Sequence, residues 1–204
     1  AGIGEVTGGE ALIDGAPTAS LSARQIAQKC AYMPQDRPAP SISVRRMALH
    51  GRFPYLSYPR RYRPEDYAAV ECALERAGAL DIADTPIPEL SGGQRQRAYL
   101  AMALAQEADT LLMDEPTAFL DISYQIAVMD TARSLAREGR AVVMVLHDIC
   151  LALRRADRLA VMCAGELLAE GTPAEIYGCG VIDRAFNVTL RRVDTPDGEQ
   201  YYFA

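Results

Sequence analysis

Leu90-Ser91-Gly92-Gly93-Gln94, followed after one helix length by Thr110-Leu111-Leu112-Met113-Asp114-Glu115, is the stretch whose reading decides the fold. The first string sets a hydroxyl and glycine N–H groups at the start of a helix. Unpaired backbone donors and the helix dipole attract phosphate there. The second string reads as a short buried strand ending in two carboxylates, suited to holding Mg²⁺ and activating water.

Working outward, helix and strand patterns alternate. A helix from Ser91 to about Glu107 carries apolar positions at Ala98, Leu100, Ala101 and Leu104, and Thr110–Met113 follows as a strand. Next come a helix over Ile122–Arg137, a strand over Ala141–Leu146 and a helix over Cys150–Ala156. Short apolar runs separated by helices predict a parallel sheet. Arg158–Cys163 and Leu167–Glu170 read as a hairpin around Ala164-Gly165, Pro173–Tyr177 as the last helix, and Asp197-Gly198 as the turn of a C-terminal hairpin.

Upstream, Glu10–Gly15 reads as a strand closing in a turn, Ser22–Lys29 as a helix capped by Ser22, and Ala31–Gln35 as a strand broken at Pro34. Asp36 to Pro40 is a structure-breaking, proline-rich stretch. From Val44 to about Pro88 the pattern is helical: Val44–His50, then Pro64–Gly78. In the second of these Pro64 suits the first turn, Glu65 and Asp66 suit the dipole, and Gly78 is the stop. The expected organisation is one α/β domain over 1–204 with a helical subdomain inserted at about 41–90.

Half of the 204 residues are hydrophobic, enough for a core, and the longest strongly apolar run, around Ala141–Leu146, is far too short to span a membrane. No secretory leader is read in the opening residues. Five scattered cysteines with no C-x-x-C point to reduced thiols rather than a disulfide framework or zinc site. A net charge of −6 argues against nucleic acid as the main partner. The charge is uneven, for Arg37 to Arg63 holds seven arginines and no acidic residue. That run reads either as a solvated face or as a docking surface beside a membrane protein or anionic headgroups.

The chemistry-bearing residues come in a fixed order: Gln35, Ser91-Gly92-Gly93-Gln94, Asp114-Glu115-Pro116-Thr117, Leu120-Asp121, then His147 at the end of the next apolar strand. Each alone has an ordinary explanation. A lone histidine is usually structural, an aspartate at a helix start is a cap, and a Gly-Gly pair is a common way into a helix. In this order and context they resemble the ATP-binding cassette (ABC) ATPases, a resemblance that covers nearly all of the chain.

The resemblance implies an α/β nucleotide-binding domain of the P-loop class, with ATP and Mg²⁺ as ligands. It implies that Leu90–Gln94 is the signature motif, with Ser91, Gly92, Gly93 and Gln94 binding nucleotide across a head-to-tail homodimer. It makes Asp114 the Walker B aspartate and Gln35 the Q-loop glutamine at the Mg²⁺, and Glu115 the carboxylate that polarises water. Asp121 becomes the D-loop aspartate and His147 the switch histidine at the γ-phosphate. Thr7-Gly8-Gly9-Glu10 resembles the segment after the phosphate-loop helix, and Ala118-Phe119 departs from the usual pairs at that place.

Gly51-Arg52-Phe53-Pro54-Tyr55, Leu120–Gln125, His147-Asp148 and Ala156–Leu159 narrow the resemblance to the ATPases of iron-siderophore, haem and cobalamin importers. Those pair with permease subunits on the cytoplasmic face of the membrane and indirectly with a substrate-binding protein.

One expected part is missing. The chain has a single lysine, Lys29, in Ala27-Gln28-Lys29-Cys30, so no G-x-x-x-x-G-K-[ST] loop exists in these residues. The expectation is a portion of a complete importer ATPase that hydrolyses little ATP by itself and leaves an unpaired sheet edge with exposed apolar surface. Two alternatives stand beside it. A non-catalytic module lending its signature motif to a partner's site should have lost Glu115 or His147. A DNA-repair or chromosome-maintenance ATPase should carry coiled-coil or zinc insertions.

Overall fold

The structure, a computed structural model, describes residues 8–35, 38–118, 120–196 and 198–204. Thr7, Asp36, Arg37, Phe119 and Asp197, which figure in the motifs above, lie outside them. The chain divides into two compact units, Ala1–Val145 and Leu146–Ala204.

In the first unit β1 (Leu12–Ile13) and β2 (Ala16–Pro17) form a small hairpin. Helix α1 (Ala23–Lys29) starts at a Ser22 capping box and leads into β3 (Cys30–Met33), which ends at Pro34 because proline has no N–H for the ladder. Then come α2 (Val44–His50), α3 (Pro64–Arg76) and α4 (Gly92–Ala105), with 3-10 turns at Phe53–Tyr55, Leu80–Ile82 and Ile87–Glu89 between them. An isolated bridge from Ser43 to Pro86 ties the two ends of this helical stretch together.

Strand β4 (Thr110–Asp114), helix α5 (Ile122–Arg137) and strand β5 (Ala141–Val145) complete the unit. The sheet is parallel in the order β3-β4-β5, with Met33 opposite Met113 and Asp114 opposite Val145. Among the described residues β5 pairs on one side only, and Val143 and Val145 are 55% and 54% exposed, which is unusual for a strand of a parallel sheet.

The core of this unit runs from Ala31 and Met33 through Val44, Ala48, Leu74 and Ile87 to the alanine-rich face of α4, then Leu111, Met113 and Leu135. Small residues on α4 let α2 come close. Gly51, at the end of α2, lies so near that a Cβ there would fall against the Met102 carbonyl oxygen of α4. That neighbour is helix backbone and cannot swing aside. Gly51→Ala should therefore lower stability by about 1–3 kcal/mol, the usual range for overpacking, read as a lower urea midpoint at unchanged slope. A midpoint equal to wild type would show that the two helices can part without cost.

The second unit contains α6 (Ile149–Arg155), the hairpin β6 (Leu159–Cys163) and β7 (Glu166–Gly171), α7 (Pro173–Gly178), α8 (Val181–Phe186), and the hairpin β8 (Leu190–Thr195) and β9 (Gly198–Phe203). Leu153, Val161, Ile176, Ile182, Leu190 and Tyr201 form its core. Burial and a hydrogen bond to Glu199 push the Tyr201 phenol up to about 12. The helix at Pro173 is not the last. Gly180 adopts the left-handed conformation, restarts the chain and allows α8, a helix too short to show an apolar period of its own.

Candidate functional site

A parallel sheet delivers the ends of all its strands to one edge, and loops at that edge form ligand sites. Here that edge gathers Gln35, Asp114 and Glu115. Gln35 follows β3 by one proline and is exposed, while Asp114 is the last residue of the central strand β4. With Met33 opposite Met113, Gln35 and Glu115 each lie two positions further on along adjacent strands. Leu111 and Met113 anchor β4 from below while the alternate Leu112 and Asp114 are only half-buried, as a period of two demands.

Glu115 has left-handed backbone, φ 48°, a rare state for a non-glycine residue. The strand thus turns sharply at the second carboxylate instead of running on. Its N–H donates to the Val145 carbonyl at 3.2 Å, which ties the turn to β5. Its carbonyl accepts from Gln96 Nε2 at 3.5 Å. Gln96 is 1% exposed, sits in the second turn of α4, and has its Oε1 unpaired among the described residues. Sequence reasoning did not single out Gln96; a polar residue on an otherwise apolar helix face was the available sign.

Ser91 caps α4. Its Oγ accepts the Gln94 N–H at 3.3 Å and Gln94 Oε1 accepts the Ser91 N–H at 2.9 Å. Leu90 is buried and pins the approach, while Ser91 and Gly92 are exposed. Gly92 and Gly93 open a 14-residue helix, so their N–H groups have no carbonyl four residues back. The Leu90–Gln94 segment therefore offers a hydroxyl and helix-start backbone donors, away from the strand-end carboxylates in sequence but linked to the Glu115 carbonyl by Gln96 of the same helix.

Asp121 caps α5, accepting the Ser123 hydroxyl at 2.7 Å and the Tyr124 N–H at 3.1 Å. These bonds, the Ser123 one foremost, hold its carboxyl below the usual range. Gln125 Nε2 donates to the Leu120 carbonyl at 3.2 Å, steadying the loop that leads from Glu115 to Asp121. His147 lies in the second unit, two residues beyond β5 in the chain, and is exposed. Lys29 pairs with Asp14 on the surface. No helix among the described residues is long and apolar enough to cross a membrane.

The donors at the sheet edge are a carboxylate and an amide oxygen, the hard ligands Mg²⁺ prefers. A second carboxylate, that of Glu115, stands one residue further on, where the left-handed backbone turns the chain out of the strand.

The chain is similar to known proteins. The family profile described as ABC transporter matches residues 1–118. A siderophore transport system ATP-binding protein of Bacillus subtilis is 39% identical over 93% of this chain and 70% of its own length. A hemin import ATP-binding protein of Rhodococcus jostii is 36% identical over 94% of this chain and 65% of its own length. A dimeric ATP-binding cassette in a post-hydrolysis state with ADP and Pi superposes with a TM-score of 0.70 at 27% identity, covering 82% of this chain and 74% of that one.

Proposed function

Because the chain belongs to the ABC transporter family of ATP-binding proteins, we propose that it is the ATP-hydrolysing subunit of an importer for an iron-siderophore, haem or related metal complex. The observation that carries this is the sheet edge to which β3 and β4 lead Gln35, Asp114 and Glu115, with Glu115 turned out of β4 by its left-handed backbone. The relatives' names support the cargo class: one is named a probable siderophore transport system ATP-binding protein and another a hemin import ATP-binding protein.

In this reading Asp114 and Gln35 would hold Mg²⁺, which would supply charge neutralisation for phosphoryl transfer. Glu115 accepts a hydrogen bond from the attacking water and orients it. His147 donates toward the γ-phosphate. Ser91 Oγ and the Gly92 and Gly93 N–H groups bind the nucleotide of a second copy in a head-to-tail homodimer, with Gln94 keeping the Ser91 backbone in place. Asp121 stands at the dimer seam. Phosphoryl transfer requires positioning and charge stabilisation more than covalent help, and this set of donors and acceptors is of that kind.

The helices between β3 and β4 are the inserted subdomain of about 41–90, and the partners are two permease subunits at the cytoplasmic face of the membrane, with a substrate-binding protein beyond them. None of the 204 residues forms a lysine-bearing phosphate loop, so the polypeptide by itself should turn over little ATP, as a coupled phosphate-release assay would read. Robust turnover by the pure chain would sink that expectation. The function itself is tested by placing a version that carries a strand–GxxxxGK[ST]–helix unit with its permease in vesicles. ATP-dependent uptake of a radiolabelled ferric chelate or haem is expected. Turnover that ignores the permease, or no uptake of either cargo, would refute it.

A further inference from the structure

Glu115 holds an unusual backbone, and one buried side chain that helps to keep it there has no part in the ATPase reading. Among the described residues five non-glycine residues adopt the left-handed conformation: Asp14, Glu107, Glu115, Ala164 and Asn187. All but Glu115 are exposed. Asp14 and Ala164 sit in hairpin turns, each followed by a glycine, and Glu107 and Asn187 lie just past helix ends. Glu115 is half-buried and follows a strand of the parallel sheet. A non-glycine residue keeps this state only where its neighbours over-determine it.

Three hydrogen bonds contribute. The Glu115 N–H donates to the Val145 carbonyl at 3.2 Å, and the Glu115 carbonyl accepts the Ala118 N–H at 3.2 Å. The same carbonyl accepts from Gln96 Nε2 at 3.5 Å. The first bond ties the turn to β5 and the second closes it locally. The third comes from α4, on another element of the fold. Packing does not replace it. Pro116 and Leu120, on the loop that follows Glu115, border a cavity of about 160 Å³ together with Gln96, Leu100 and Val128. On that side the turn rests on hydrogen bonds and open space instead of a filled core.

Gln96 fills its own place at a cost. It is buried, and its Oε1 has no hydrogen-bond partner among the described residues. An amide buried with its acceptor idle is less favourable than an apolar side chain of the same size. What the amide supplies, and a methionine does not, is the donor to the Glu115 carbonyl.

We propose that Gln96 is a positioning residue: its amide holds the Glu115 turn, and through it the Glu115 carboxylate, where that carboxylate orients the attacking water. This rests on the reading of Glu115 as the water-orienting group. Gln96 lies in the second turn of the helix that Ser91 starts. The segment that reaches the nucleotide of a second copy and the carboxylate of the chain's own site are therefore linked through one helix.

Gln96→Met, made in a version of the protein that carries a phosphate loop, keeps the volume and removes the donor. Turnover at saturating ATP should fall by about 10–10²-fold, as a displacement of roughly 1 Å at a reacting group does, with KM unchanged. The urea midpoint should hold or rise, because the idle Oε1 leaves with the amide. In a structural role, rate and midpoint would fall together. Leu100→Met, one turn further along α4 on the same cavity, should leave turnover unchanged. In the Glu115→Gln background Gln96→Met should slow single-turnover hydrolysis no further, since no carboxylate is left to position. Wild-type turnover in Gln96→Met, a raised KM at unchanged turnover, a lowered midpoint with a matching loss of rate, or a further loss of the same size beside Glu115→Gln would overturn the proposal. The reading it rests on fails differently, for Glu115→Gln alone would then hydrolyse ATP as fast as the wild type.

Discussion

Glu115→Gln, made in a version of the protein that carries a phosphate loop, should bind ATP and then stall. The substitution keeps the length and shape of the side chain, so the turn at the end of β4 and the N–H bond from Glu115 to Val145 should survive. What is lost is the negative acceptor. A positioned base or water-orienting group contributes about 10²–10⁴-fold to rate, and turnover should fall by that factor while nucleotide affinity holds. Because the nucleotide is bound and not consumed, the variant should also accumulate as a dimer in ATP on gel filtration. Turnover equal to wild type would remove Glu115 from the role and leave its strained backbone without a catalytic reason.

The largest effect on stability should come from Asp66→Ala. Arg52 and Asp66 have side chains only 8% and 5% exposed, joined by Nε and Oδ1 at 3.0 Å. Arg52 also donates to the Ala105 carbonyl at 2.8 Å and to Glu107 at 2.7 Å, and lies over the Tyr55 ring at 4.3 Å. Burial works against its charge, but the hydrogen bonds to Asp66 and Glu107 outweigh that and raise its pKa. One residue thus links α3, the end of α4 and the turn after α2.

Removing Asp66 leaves a guanidinium in the interior with part of its fork unmatched. Breaking such a pair costs about 3–5 kcal/mol, a large part of the 5–15 kcal/mol that holds a typical domain together. Asp66→Asn, which keeps an acceptor, should lose less. The double change Arg52→Met with Asp66→Leu should recover part of the loss, since apolar replacement of both partners removes the uncompensated charge. Chemical denaturation of the three variants checks the order, and a loss below about 1 kcal/mol for Asp66→Ala would show that water reaches the site.

Asp66 also shows where sequence reading stops. Glu65 and Asp66 both suit the first turn of a helix, and Asp66 does accept the Arg63 N–H there at 2.9 Å. That much is local chemistry. Its burial against Arg52 depends on how α3 packs beside α2, which no window of a few residues contains. Gln96 is similar: the helix around it was legible, but its contact with the Glu115 carbonyl exists only because α4 crosses the end of β4.

The sequence by itself determined the helix starts at Ser22, Ser91 and Asp121, the stop of β3 at Pro34, the break at Gly78, and the alternation that makes β3, β4 and β5 a parallel set. It also placed Gln35, Asp114 and Glu115 at strand ends. These features depend on three or four consecutive residues or on a repeat of two or 3.6, so they can be read along one dimension. Only the tertiary structure decided that Asp66 is interior, that Gly51 touches backbone, that Gln96 supports the Glu115 turn, that α8 exists, and that Tyr58 stands almost fully exposed. The physical reason is that burial, close approach and charge pairing are properties of residues far apart in the chain, as Arg52 and Glu107 are. They are set when the chain folds, by the few arrangements that cover apolar surface without stranding a buried charge.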